Sequence, residues 1–235
     1  LSFDDGLKEL YHEVVPILRE KGVPATFFVN SAFVDNKNLF YRHKVALLAD
    51  KINKGISDIT RKEADALLCE CPDKTLVAKV LNLRYDQQDL IERLGVILNV
   101  DFQGFLEKEK PYLTTEQLSD LKEKKFTIGS HSIDHSPYQL LPIEGQLRQT
   151  IVSTEFVRDT FQEEPLFFSF PFSDKDISRD FFKEVYNTVD LTFGISGIRC
   201  RINRKHLSRI DMERPFLDAK TRVNRAFWSC ILSKK

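Results

Sequence analysis

Short runs rich in aromatic and β-branched residues alternate with longer amphipathic runs over most of this chain, and then, for one long stretch, they do not. That rhythm and its interruption constrain the fold more than any other feature. Leu1–Phe3, Ala25–Val29, Phe126–Ile128, Phe167–Phe170, Leu191–Phe193 and His206–Ile210 read as strands. Between them lie helical stripes: Leu7, Leu10, Val14, Ile17 and Leu18, then Leu118 and Leu121, Ile143 through Phe161, and Phe181, Phe182 and Val185. Strands joined by helices imply a mostly parallel sheet or barrel. Pro16 is expected to kink or restart the first helix. From residue 36 to about 113 the strand signals vanish. Thr60-Arg61-Lys62-Glu63 reads as a capping box there, and stripes over Val45–Ile52, Leu76–Leu81, Leu90–Ile97 and Phe102–Leu106 predict an all-helical insertion, residues 36–113, within a single domain spanning 1–235.

Composition narrows the class. Hydrophobic residues at 42% and charged residues at 30% describe an ordinary globular protein, and nineteen Phe predict an aromatic-rich core. No apolar run approaches the ~18 residues a membrane span needs. The formal net charge is zero, which argues against a dedicated nucleic-acid binder. It hides an asymmetry, because residues 199–235 carry eleven Lys or Arg against three Asp or Glu. That basic tail can attract an anionic partner. Its last helix should turn Ala219, Val223, Ala226, Phe227 and Cys230 to one side and Lys220, Arg222 and Arg225 to another, with Trp228 as packing. Cys69, Cys71, Cys200 and Cys230 lack metal-knuckle spacing and read as free thiols. The first residues look like the inside of a strand, so residues upstream of Leu1 are expected. A cytoplasmic or membrane-peripheral location is the expectation that goes with this.

Two features carry chemistry, and each follows a predicted strand. Asp4-Asp5-Gly6 places adjacent carboxylates at a strand's C-terminal end, a costly arrangement unless a cation neutralises them. Ser130-His131-Ser132-Ile133-Asp134-His135-Ser136 offers two histidines at i and i+4, able in a helical turn to face one ion. In α/β barrels the C-terminal strand ends meet on one face. One carboxylate with two imidazoles makes a facial triad that suits Zn²⁺, Fe²⁺, Co²⁺ or Mn²⁺ and leaves positions for water and substrate.

Leu1-Ser2-Phe3-Asp4-Asp5-Gly6 resembles the first motif of the polysaccharide deacetylases, the NodB-homology group of carbohydrate esterases. Ser130-His131-Ser132-Ile133-Asp134-His135 resembles their second motif, and Pro24–Val29 their second strand. The resemblance covers most of residues 1–35 and 114–215. It implies a distorted (β/α) barrel of seven or eight strands, with the helical insertion after the second. It also implies metal-dependent hydrolysis of acetyl groups on an amino-sugar glycan, N-acetyl ahead of O-acetyl. Carried over position by position, Asp5, His131 and His135 bind one divalent metal, Zn first, with Co, Fe, Mn or Ni as alternatives. Asp4 becomes the general base, and Phe170, Pro171 and Phe172 contact the carbohydrate. The alternatives are a binding protein that has lost turnover, or hydrolysis of a non-sugar amide.

The sequence also departs from that family. Ser169 stands where an Arg usually precedes the third motif's Pro, so the tether of Asp4 must be absent or come from elsewhere. No Leu-x-His supplies the acid; His206 precedes Leu207 in the wrong order. Asp190 precedes its strand, and Asp174 is the carboxylate expected to replace a missing catalytic charge. Arg209 and Asp211 are expected to close the barrel with an ion pair.

Overall fold

The computed structural model describes residues 1–68, 74–195, 197, 204–213 and 217–232. The chain divides into two compact units, residues 1–34 with 112–235, and residues 35–111.

The first unit is built on six parallel strands: β1 (Ser2–Phe3), β2 (Thr26–Val29), β3 (Thr127–Ser130), β4 (Phe167–Ser169), β5 (Leu191–Gly194) and β6 (His206–Ser208). They lie side by side in chain order. The described residues thus form six strands where seven or eight were expected. The helices joining them are α1 (Val15–Glu20), α7 (Thr115–Glu123), α8 (Ile143–Phe161) and α9 (Arg179–Val185), with α10 (Ala219–Leu232) after the last strand. Pro16 does restart the first helix. A π-helical turn over Leu10–Val14 gives way to α1 with Pro16 in its first turn, where its missing N–H costs nothing. Thr114 caps α7 with its reciprocal partner Gln117, and Ser178 caps α9.

Strand alternation sorts side chains to two faces. Phe27, Val29 and Ile128 face outward and pack with Val15, Leu18, Leu118, Leu121, Val157 and Phe161. Phe168 and Phe170 face Tyr138, Phe181 and Val185. Burying each of these side chains contributes about 1.5–3 kcal/mol. On the other face the sheet curls. Phe28 of β2 meets Phe193 of β5 with ring centroids 5.3 Å apart. Gly129 makes this possible, because a Cβ there would lie 2.4 Å from the Phe28 ring. Arg209, just past β6, reaches Ser2 and Asp4 at the other edge of the sheet, so the strands form a curled half-barrel.

The second unit contains α2 (Tyr41–Lys54), α3 (Asp58–Leu67), α4 (Leu76–Leu81), α5 (Gln88–Ile97) and α6 (Phe102–Glu109). Its core holds Val45, Leu48, Ile52, Val80, Ile91, Leu94 and Leu106. The helix expected to start at Thr60 starts three residues earlier. Ser57 is its cap, accepting from the Thr60 amide at 3.1 Å, and Thr60 sits in the first turn.

The last helix is rotated from its expected setting. Arg222 is buried at 9% exposure, since its guanidinium turns inward to the Asp211 carbonyl and carboxylate. Phe227 and Trp228, expected to pack, are exposed instead. Cys230 is half-buried and in no disulfide, and Cys69, Cys71 and Cys200 lie outside the described residues.

Candidate metal centre

The first carboxylates stand where β1 stops. Asp5 and Gly6 both take left-handed backbone, φ 68° and 60°, which Asp tolerates and Gly prefers. A Cβ on Gly6 would sit 3.0 Å from Val29 Cγ1, so this turn presses against β2. The histidines follow β3, in a loop and not the helical turn expected. Ser132 and His135 are left-handed at φ 70° and 61°, which swings the two imidazoles together. Hydrogen bonds fix that loop. Ser132 Oγ accepts from the His135 amide at 2.9 Å, and Asn30 donates to the His131 carbonyl. From α8, Gln149 accepts from the Ile133 amide at 2.8 Å and donates to Asp134 at 3.0 Å.

One carboxylate oxygen of Asp5 and one nitrogen each of His131 and His135 lie within 4.8 Å of one another. His131 Nδ1 lies 2.8 Å from the Ser169 carbonyl and donates to it, since a carbonyl can only accept. Its Nε2 is therefore the lone-pair nitrogen, 3.6 Å from Asp5 Oδ1. His135 Nε2 lies 3.2 Å from the same oxygen. Burial, with His135 as neighbour, holds the His131 imidazole below the ordinary histidine range against the pull of Asp4 and Asp5. A neutral imidazole anchored at Nδ1 with Nε2 turned to a carboxylate is what a metal-ligating histidine requires. The donor set, one oxygen and two nitrogens, fits a first-row divalent ion.

Asp4 points elsewhere. Arg209 forks it, Nη1 to Oδ1 and Nη2 to Oδ2, both at 2.7 Å. Arg209 also donates to Ser2 Oγ at 3.1 Å and to Ser169 Oγ. Burial alone would raise the Asp4 carboxyl, but His131 and the Arg209 fork outweigh it and hold the group below the usual carboxylate range. With His131 neutral, Arg209 is the standing positive charge. The expected Arg209–Asp211 pair is thus replaced. Arg209 does close the barrel, through Asp4, while Asp211 pairs with Arg222 at 3.7 Å. Ser169 stands in the vacated arginine position, beneath the guanidinium.

Other expected residues fall apart from the cluster. Asp174 Oδ2 accepts from His206 Nε2 at 3.1 Å and its Oδ1 from the Ile195 amide at 3.1 Å. His206 Nδ1 lies 2.8 Å from Thr192 Oγ1, which lies 2.9 Å from the Tyr186 hydroxyl. Asp190 accepts from the Leu166 amide at 2.8 Å, at the opposite strand end. Phe170, at 1% exposure, is core, and Pro171 is buried. The reason is alternation: Ser169 points to Asp4, so Phe170 points away. Phe172 alone of the three is exposed, edge-on to His135 with centroids 4.4 Å apart. Glu213 was not singled out from the sequence. It is an exposed side chain within electrostatic reach of Asp5, Asp4 and Arg209, and partial desolvation, then the charges of Asp211, Asp5 and Asp4, pushes its carboxyl up.

Comparison with known proteins agrees with this geometry. The polysaccharide deacetylase family model matches residues 1–193. The chain belongs to the polysaccharide deacetylase family. Among solved structures it is similar to the Streptococcus pyogenes deacetylase PplD in complex with acetate, at 13% identity and TM-score 0.53, covering 89% of this chain and 62% of that one. It is also similar to IcaB from Ammonifex degensii, at 16% identity and TM-score 0.51, covering 97% and 71%. A de-N-acetylase from Aggregatibacter actinomycetemcomitans matches at 14% identity and TM-score 0.51, covering 96% and 73%. At these identities the likeness is one of fold. No curated protein matches the chain. No helix of the described residues is long and apolar enough to cross a membrane.

Proposed function

We propose that this family member is a metal-dependent hydrolase that removes acetyl groups from an amino-sugar-containing glycan or glycoconjugate, N-acetyl in preference to O-acetyl. The observation that carries this reading is the Asp5–His131–His135 cluster with a second carboxylate, Asp4, clamped beside it. Asp5, His131 and His135 would hold one divalent ion, Zn first among the ions that suit the donors. When bound, that ion supplies Lewis acidity toward an acyl oxygen and toward water.

The chain's own residues do the rest. Asp4 is the base: it is kept ionised, and it takes a proton from the attacking water. The Arg209 fork holds both of its oxygens in one orientation. An amine leaves only once protonated, and Asp4, holding the proton it took from water, returns it to the leaving nitrogen. The Nδ1–H bond to Ser169 fixes the His131 ring. Phe172 offers an exposed apolar edge to a sugar ring beside His135. Asp174, bonded to His206 and Ile195, is assigned no catalytic part. The alternative of a binding protein without turnover rests on the missing Arg and the missing His; Arg209 supplies the tether for Asp4, while His206 is engaged with Asp174 and Thr192 and does not take the acid's place.

The test is turnover of an acetylated chitooligosaccharide panel by metal-loaded protein, with elemental analysis beside it. Release of acetate and free amine is expected, with one divalent ion per chain. His131→Ala should lower bound metal by about ten-fold or more, the scale on which losing a ligand or its support acts. Metal-loaded protein that releases no acetate from any sugar, but cleaves a non-sugar amide, would overturn the substrate class.

A further inference from the structure

The outward face of α10 carries three large apolar side chains. Phe227 and Ile231, one turn apart, share a side, and Trp228 adjoins them; they are 54%, 58% and 63% exposed. Arg222 is buried on Asp211 across the helix from them, and the flank between holds Val223, Ala226 and Cys230, half-buried. The helix is therefore held in one rotation, with its aromatic face outward. Charge accompanies that face. No acidic residue occurs from Ala219 to the end of the sequence, while Lys220 and Arg225 are exposed on the helix and Lys234 and Lys235 follow in sequence.

We infer that α10 docks the protein peripherally on a membrane surface bearing anionic lipid. An amphipathic helix lies in the interfacial plane when its apolar side chains enter the acyl boundary and its Lys and Arg stay among the headgroups. Tryptophan suits that depth, with an apolar body and one N–H for the wet side. Each Lys or Arg near the surface adds attraction to anionic headgroups. Duplex nucleic acid bound nonspecifically would use the same cations through its phosphates and leave Ile231 and Phe227 in water. A second copy would bring the same positive charges against these. A lipid surface is the partner that uses both the charge and the apolar face. The inference is independent of the hydrolase reading.

Trp228 is the only tryptophan in the chain, so its emission reports on this face alone. The experiment mixes the purified protein with phosphatidylcholine vesicles, with or without phosphatidylglycerol, and follows Trp228 fluorescence and co-sedimentation. A blue shift and pelleting with the anionic vesicles are expected, with affinity about ten-fold or more lower on phosphatidylcholine alone and falling as salt rises. The double variant Phe227→Ser and Ile231→Ser, and separately Arg225→Glu, should each weaken binding about ten-fold while far-ultraviolet circular dichroism is unchanged. Those side chains face outward, so folding does not depend on them. The inference fails if anionic lipid confers no binding, or if vesicles bind while Trp228 emission stays put. It also fails if emission is already shifted without lipid in a concentration-dependent dimer, or if duplex DNA and not lipid produces the shift.

Discussion

His131 and His206 occupy similar places, each at a strand of the same sheet and each beside an aspartate, yet only one belongs to a chemical centre. His206 has both ring nitrogens engaged, Nδ1 with Thr192 and Nε2 with Asp174, and Tyr186 completes the chain. His131 has Nδ1 engaged with a backbone carbonyl and Nε2 turned toward two carboxylates and a second imidazole. The lesson is that residue type does not make a site. An Asp–His pair whose donors and acceptors are matched is a strut, and one that gathers lone pairs around a common point is a receptor for a cation.

The comparison is broken most directly at the carboxylates. If Asp4 is the base and not a ligand, Asp4→Asn should keep bound metal and fold while lowering kcat by about 10²–10⁴. Metal loss in that variant would mean the two aspartates' roles are reversed.

Arg209 sharpens the contrast next. Its fork on Asp4 is part-buried, with side-chain exposures of 15% and 23%. Arg209→Gln leaves a carboxylate among other acids without its counter-charge, and should destabilise the fold by about 3 kcal/mol. Arg209→Lys restores charge but not the two-pronged geometry, so it should recover stability more than kcat. Equal recovery of both would make the residue a strut only. This contact was not legible in the sequence. Arg209 and Asp4 are 205 positions apart, and the nearer Asp211 was the natural partner until folding gave it to Arg222.

What was legible was what is local. The strand–helix rhythm follows from short-range periodicity, and the Asp-Asp-Gly and His-Ser-Ile-Asp-His turns carry their chemistry in neighbouring residues. Rotations and long-range partners were less so. Phe170 became core because Ser169 took the inward place, and α10 turned because Arg222 was drawn to Asp211. His206 belongs to this group, since its wrong order for an acid was visible but its role was not. His206→Phe fits the ring-lined site beside Phe170 and Phe182 but forfeits two hydrogen bonds. It should cost about 1–3 kcal/mol in urea denaturation, with metal content unchanged. Metal loss in that variant would join the two clusters that this comparison separates.

The smallest effect concerns pH. Burial first, then His135, holds His131 below its ordinary value of 6.5. Below that value the unfolded chain binds a proton that the folded chain refuses, so stability falls as pH falls, from about 6.5 down to the folded value, by at most ~1.4 kcal/mol per pH unit. Asp4 acts in a separate window. Its folded value is depressed, so its contribution is fully present above the ordinary 3.8 and is lost only as pH drops through the lower folded value. Between about pH 7.5 and 5, then, Asp4 contributes no slope, His131 lowers stability as pH falls, and the raised Glu213 carboxyl opposes it above its ordinary 4.5. Urea titrations of metal-free protein should show stability falling across that range, and His131→Gln should flatten the slope. Added metal should steepen it, because protons and the ion compete for the same imidazole nitrogens. A wild-type slope that His131→Gln leaves untouched would show that the folded imidazole takes up its proton as readily as the unfolded one, and is not held neutral for a metal.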